Sequence, residues 1–293
     1  MKHKIPDTIF GKPVKGAIKR ALTTNFNSEN PAIEQPQRVD TNFSDNVAES
    51  YIMSYDHPQH GQFFQELIKK SNERFKGTKA EISEGTSGEV QNMYSIKRMA
   101  LVSTIANNSN LRSAGLWPIS PLQSETLLKD GKLPDPSKYW EDLGLIVYDL
   151  KGENKKEAKS LRESIRQNLS VLGLTENDLE KRLLVVHAGA EVDPDMSHGV
   201  KPIIIPGITQ VYTHEVLDKI GANHTFEYGL DRGLPFISEI GKGDRTLYMP
   251  NEKENVGLRV LYRDWDLDLG SDWGDLRDSG GGGRVNFARS ASP

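Results

Sequence analysis

The sequence predicts an α/β fold: a small, mainly parallel sheet with flanking helices, followed by a glycine-rich β segment. Three observations predict it. Two short apolar runs, Leu145-Ile146-Val147-Tyr148 and Leu183-Leu184-Val185-Val186, read as strands buried on both faces. Between them Ala158, Leu161, Ile165, Leu169 and Leu172 recur at spacings of three and four, the mark of an amphipathic helix. After Gly221 glycine becomes frequent, and helical periodicity gives way to short apolar runs.

The elements follow in order. Residues 1–54 read as a polar, largely irregular arm. Lys2, Lys4, Lys12, Lys15, Lys19 and Arg20 face only Asp7 in its first twenty residues, and Thr, Asn, Ser, Pro and Gln dominate the rest. An α/β body covers 55–225. It opens with a helix from about Gln59 that places Phe63, Phe64, Leu67 and Ile68 on one side. Thr86 and Glu89 have capping-box spacing, and Met93, Ile96, Ala100 and Ile105 continue a helix to about Ala106. Ser120, Pro121 and Gln123 start a short helix that Gly131 and Pro134 close.

The clearest stretch is 143–221. Strand, helix and strand suggest a βαβ unit with a right-handed crossover. Glu153–Lys156 and Lys159–Glu163 pairs support the wet side of the helix. Thr175 and Asp178 form a further capping box. Ile203-Ile204-Ile205 reads as a third strand, and Tyr212, Val216, Leu217 and Ile220 line a helix stopped by Gly221. A β-rich segment spans 226–279. Phe236-Ile237 reads as a strand there, and Thr246–Met249 and Leu258–Tyr262 should pair as a hairpin. Residues 280–293 read as a flexible tail, opened by Gly280 to Gly283.

Composition removes several function classes. The 293 residues contain no cysteine, which rules out disulfides, thiolate metal sites and a cysteine nucleophile. No apolar run reaches the ~20 residues of a spanning helix, and the N-terminus lacks the apolar core of a signal peptide. The reading is therefore cytoplasmic, with secretion lacking a classical signal peptide left open. With 37 basic against 41 acidic residues, the net charge of −4 weighs against a dedicated nucleic-acid binder. The Asp149-Leu-Lys-Gly-Glu-Asn-Lys connection has one glycine where a phosphate-cradling turn needs several, and no G-x-S-x-G elbow occurs.

Open α/β sheets bind ligands beyond the carboxyl ends of their strands. Those ends carry Asp149 and His187, and the next loop adds Asp193 and His198. These four make the expected site of a hydrolase acting on a small or polar substrate. His187 would be base or ligand, and Asp149 would orient it or hold a divalent cation, Ca²⁺ or Mg²⁺. A second reading is a non-catalytic interaction or structural protein, in which residues 1–50 and the acidic C-terminal segment contact a protein partner. A third is a calcium-dependent carbohydrate binder. Asp264, Asp266 and Asp268 would share one face of an extended strand, Asp272 would add a fourth carboxylate, and Trp265 would stack on a sugar.

Overall fold

The computed structural model describes residues 8–9, 12–13, 47, 49–149, 152–251, 256–272, 276 and 282–289. The chain divides into two compact units, residues 1–39 and 40–293. In the first, β1 (Thr8–Ile9) pairs antiparallel with β2 (Lys12–Pro13). The rest of the expected N-terminal arm lies largely outside the described residues.

In chain order the second unit runs β3 (Ser50–Ile52), α1 (Gly61–Arg74), α2 (Ser95–Ala106), α3 (Ser109–Ser113), β4 (Leu116–Pro118), α4 (Pro121–Lys129) and β5 (Glu141–Val147). It continues with α5 (Lys155–Gln167), α6 (Leu169–Leu172), β6 (Leu183–Val186), β7 (Gly189–Val192), β8 (Val200–Ile203) and β9 (Gln210–Thr213). It ends with β10 (His224–Phe226), β11 (Arg245–Tyr248), β12 (Leu258–Arg263), β13 (Leu269–Gly270) and β14 (Asn286–Arg289).

The main sheet has the order β10-β11-β13-β12-β5-β6-β9. Only β11 and β13 run parallel; every other neighbouring pair is antiparallel. The sheet is mixed and mostly antiparallel, which corrects the expectation of a mainly parallel one. The register gives the reason. Val147 lies opposite Leu183, so the excursion through α5 and α6 returns the chain to the end of the sheet it left. No crossover forms. The strands are nevertheless buried on both faces, as their apolar runs require. Leu145, Val147, Leu183 and Val185 join Ile96, Met99, Leu161 and Ile165 in one core. Ile146, Leu184 and Val186 join Ile119, Leu127, Phe226 and Leu247 in another. Each such aliphatic side chain contributes roughly 1.5–3 kcal/mol by leaving water.

Several local expectations change in context. The Ser120 box forms in full: Ser120 Oγ accepts from Gln123 N at 3.1 Å, and Gln123 Oε1 accepts from Ser120 N at 2.8 Å. The Thr175–Asp178 box also forms, opening a single 3₁₀ turn at Glu176–Glu180. The Thr86–Glu89 spacing does not start a helix. Glu89 bridges Ser54 instead, Asn92 turns the chain at φ 55°, and α2 begins only at Ser95. The expected third strand shifts to β8 and pairs with β7 as a separate two-stranded ribbon. The expected helix from Tyr212 is β9, where Val211, Tyr212 and Thr213 suit a pleated surface, followed by a 3₁₀ turn at Glu215–Asp218. Phe236 and Ile237 start another 3₁₀ turn rather than a strand. β11 and β12 do not form a hairpin, because β13 lies between them.

The expected boundary near 225 is not a spatial one, since β10 to β13 complete the sheet begun by β5 and β6. Nor do residues 280–293 form only a tail. Asn286–Arg289 is the central strand of a second sheet, β3-β14-β4, over a third core that includes Phe64, Leu101 and Phe287. Glu141 locks that strand in place. Its fully buried carboxylate accepts from Asn286 N and Nδ2, each at 2.8 Å, and from Arg263 Nη2 at 3.2 Å. No helix among the described residues is long and apolar enough to cross a membrane.

Candidate functional site

The antiparallel register separates the two residues on which the hydrolase reading turned. Leu145 faces Val185, so His187 is level with Leu143, six residues before Asp149. At ~3.4 Å per residue that places them about 20 Å apart along the strand direction. Asp149 is exposed, and its charge acts on Arg162. His187 is buried at the far end. Its Nε2 donates to Pro118 O at 2.7 Å, which ties β4 to the end of β6, and its carbonyl accepts from Thr209 Oγ1. Burial, reinforced by the Arg98 cation, pushes the imidazole down to about 3, so it stays neutral. The hollow beside it, lined by Ser95, Arg98 and Gly144, has room for about one water molecule. It is a packing defect walled mainly by apolar side chains such as Met99, Val102 and Leu145 rather than a substrate cleft.

Asp193 and His198 both lie in the turn that closes the β7–β8 ribbon, away from His187. Asp193 N donates to Gly199 O, and Asp193 Oδ1 accepts from Asp195 N. Of the four residues expected to form one site, only these two share a turn.

The C-terminal aspartates do not line one face of a strand. Residues 264–268 are a tight turn between β12 and β13, with Leu267 at φ 70°. Asp264 Oδ1 accepts from Asp268 N at 3.0 Å, Asp268 Oδ1 accepts from Thr246 N at 2.5 Å, and Asp272 Oδ1 accepts from the Tyr262 hydroxyl at 2.7 Å. These carboxylates anchor backbone and side-chain donors of the fold. Burial pushes the Asp264 carboxyl up, against the opposing pull of the hydrogen bond from Asp268 N. Asp266 alone of the three turn aspartates is exposed. Among the described residues no three His, Asp or Glu side chains are grouped to hold a metal ion. Trp265 packs edge-on against Trp140, with centroids 5.2 Å apart.

The open concavities lie elsewhere, along β9, the terminal strand of the main sheet. Beside its Thr213 end is a hollow of about 590 Å³. Its floor is His214, which caps the following 3₁₀ turn by accepting from Val216 N at Nδ1. Nδ1 is therefore the unprotonated nitrogen. Nε2 lies 3.2 Å from Asp231 Oδ2, off the line of a good hydrogen bond. Burial holds the imidazole below its ordinary range, although Asp231 pulls the other way. With Nδ1 committed to the backbone, His214 has no lone pair to offer a substrate proton.

The walls of this hollow carry balanced charge. Arg182 donates to Leu217 O and pairs with Asp218 Oδ1 at 3.2 Å. Arg232 lies 4.6 Å over the Tyr212 ring and donates to Thr213 O. Glu215 and Lys181 complete the rim, with Phe236 and Ile237 projecting into solvent. Its volume is that of a small-molecule site, but such sites are mainly apolar, and this lining is mainly charged. A second hollow of about 270 Å³ lies against Gln210, Val211 and Tyr212, walled by Val171, Leu172 and Ile208.

Sequence reasoning missed this face. Its residues come from α6, β9 and the 231–238 loop, and no local pattern connects them. The one available signal was the apolar pair Phe236-Ile237 inside a glycine-rich stretch. No family model, no curated protein and no solved structure matches the chain.

Proposed function

We propose that the protein works by binding another polypeptide along the outer side of β9, as an interaction protein rather than a hydrolase. One observation carries the reading. Five large apolar side chains are exposed among the described residues, and three of them flank this strand: Val171 at 57%, Phe236 at 43% and Ile237 at 38%. Scattered apolar residues are ordinary on a surface, whereas exposed apolar side chains at both hollows beside the end strand of a sheet favour docking of an extended segment. An extended segment could hydrogen-bond to the strand and seat alternate side chains in the two hollows. The separation of Asp149 from His187, and the burial of His187 against Pro118 O, weigh against the hydrolase reading.

The test is selection of displayed random peptides against the whole chain. Enriched sequences should alternate apolar and polar residues, and should lose binding to a Phe236→Asp/Ile237→Asp variant. Failure to enrich, or equal capture by the variant, would remove the proposal.

A further inference from the structure

We infer that the hollow at the Thr213 end of β9 binds a small zwitterion, a free apolar α-amino acid, with its carboxylate on Arg232 and its ammonium group on Asp231. The inference goes beyond the docking reading and stands apart from it.

The turn that presents these two residues breaks a local rule. Asp231 and Leu234 exchange both backbone hydrogen bonds, at 2.9 and 3.0 Å, and the residues between them, Arg232 and Gly233, have φ of 58° and 93°. Positive φ at both central positions is the mark of a type I′ turn, whose first central residue is ordinarily asparagine, aspartate or glycine. Arginine is strained there, and strain kept where a better residue exists points to function. The turn is also braced. A Cβ on Gly233 would lie 2.1 Å from Pro121 Cβ, and Gly229 N donates to the buried Glu125 carboxylate at 2.7 Å. The pair is thus held on a rigid frame, as a binding site needs.

Charge then selects the ligand. Of the three cations at the hollow, Lys181 pairs with Asp178 at 2.9 Å and Arg182 with Asp218 at 3.2 Å. Among the described residues Arg232 has no carboxylate within ion-pair distance. Its guanidinium lies over the Tyr212 ring and gives one N–H to Thr213 O, which leaves further donors for a carboxylate. Asp231 is uncompensated in the opposite sense. Its neighbour His214 accepts from Val216 N at Nδ1 and is therefore neutral, and the Nε2–H of that buried ring lacks an aligned acceptor. An anion alone would meet Asp231 and Glu215, and a cation alone would meet Arg232. A molecule with both charges answers both. Phe236 and Ile237, exposed at the rim, offer apolar contact to its side chain.

The test is isothermal titration calorimetry on the full chain with L-leucine and L-phenylalanine. Two controls are isocaproate, which lacks leucine's ammonium group, and isoamylamine, which lacks its carboxylate. At least one amino acid should bind with a Kd of about 1 mM or tighter, and each control roughly tenfold or more weakly. Arg232→Asn should weaken amino-acid binding roughly tenfold or more, yet melt at the same or a higher temperature, because asparagine suits the turn. Silence from both amino acids, equal binding of a control, or an Arg232→Asn variant that binds as the wild type does would overturn the site. So would a lower melting temperature of that variant, which would make Arg232 a support of the fold. Failed peptide selection with amino-acid binding intact would sink the docking reading and leave this site standing.

Discussion

The main sheet ends in two strands that are treated in opposite ways. At one end β10 is covered by its own chain: Gly241 N donates to Thr225 O at 2.8 Å, and Gly243 presses against Phe226 so closely that a Cβ would sit 2.4 Å from its carbonyl oxygen. Beneath that cover, the buried Glu125 carboxylate holds Arg245 of β11 through both guanidinium nitrogens, at 2.6 and 2.8 Å, and accepts from Gly229 N. At the other end, among the described residues, no strand lies beyond β9, and exposed apolar side chains stand at the hollows beside it. An unprotected edge is a hazard that folded proteins ordinarily blunt. The contrast between the two ends supports the proposal that β9 is the binding face.

The largest expected effect comes from breaking the covered end. Glu125→Ala leaves Arg245, largely buried, without its carboxylate and removes the acceptor of Gly229 N. Urea denaturation should show a loss of about 3–5 kcal/mol. A loss under about 1 kcal/mol would mean the ion pair does not hold this edge. Gly243→Ala should cost less, about 1–3 kcal/mol, because it strains a φ of 89° and forces the turn off β10. The same variant should speed hydrogen exchange at Gly241. Unchanged exchange there would show that the cover does not depend on the close approach.

Between the edges, the interior carries two opposed titrations. His187 stays neutral in the folded chain down to about 3, whereas in the unfolded chain it takes up a proton near 6.5. The unfolded state binds more protons in that window, so this group lowers stability as pH falls. Asp142, which accepts from Ser95 Oγ, is pushed up by burial to about 7, against about 3.9 when unfolded. Here the folded state holds the extra proton, so stability falls as pH rises. Between about pH 4 and 6.5 the two slopes oppose each other. Asp142→Asn removes one of them. Relative to the wild type, its stability should fall on acidification by up to about 1.4 kcal/mol per pH unit. Parallel stability curves for the two proteins would show that Asp142 ionises normally.

The smallest expected effect on folding is beside β9. Phe236→Asp/Ile237→Asp should change the unfolding free energy at low protein concentration by about 0.5 kcal/mol or less, since both side chains are exposed. A larger loss would mean that these residues support the fold rather than a partner.

Much of the fold was legible. The cap at Ser120 and the apolar face of α5 depend on residues within one or two turns, and they are as the local pattern implied. The strands at 145–148 and 183–186 were placed correctly, but their relative direction was not. A run buried on both faces looks the same in a parallel sheet and in an antiparallel one covered on both sides. That single difference moved His187 about 20 Å from Asp149 and dissolved the expected site. The acidic turn misled for a related reason: alternation of Asp264, Asp266 and Asp268 implies a shared face only if the backbone is extended, and a left-handed Leu267 bends it.

By itself the sequence determined which segments are apolar enough to be buried, where helices can start, and that no thiol chemistry or apolar spanning segment is available. Those are properties of neighbouring residues. Only the tertiary structure decided which way β6 runs, which strands end the sheet, and that the turn at Gly241 covers β10. Strand direction and order are settled by contacts between residues far apart in the chain. The energies of those contacts depend on every element packed around them, and no local spacing records them.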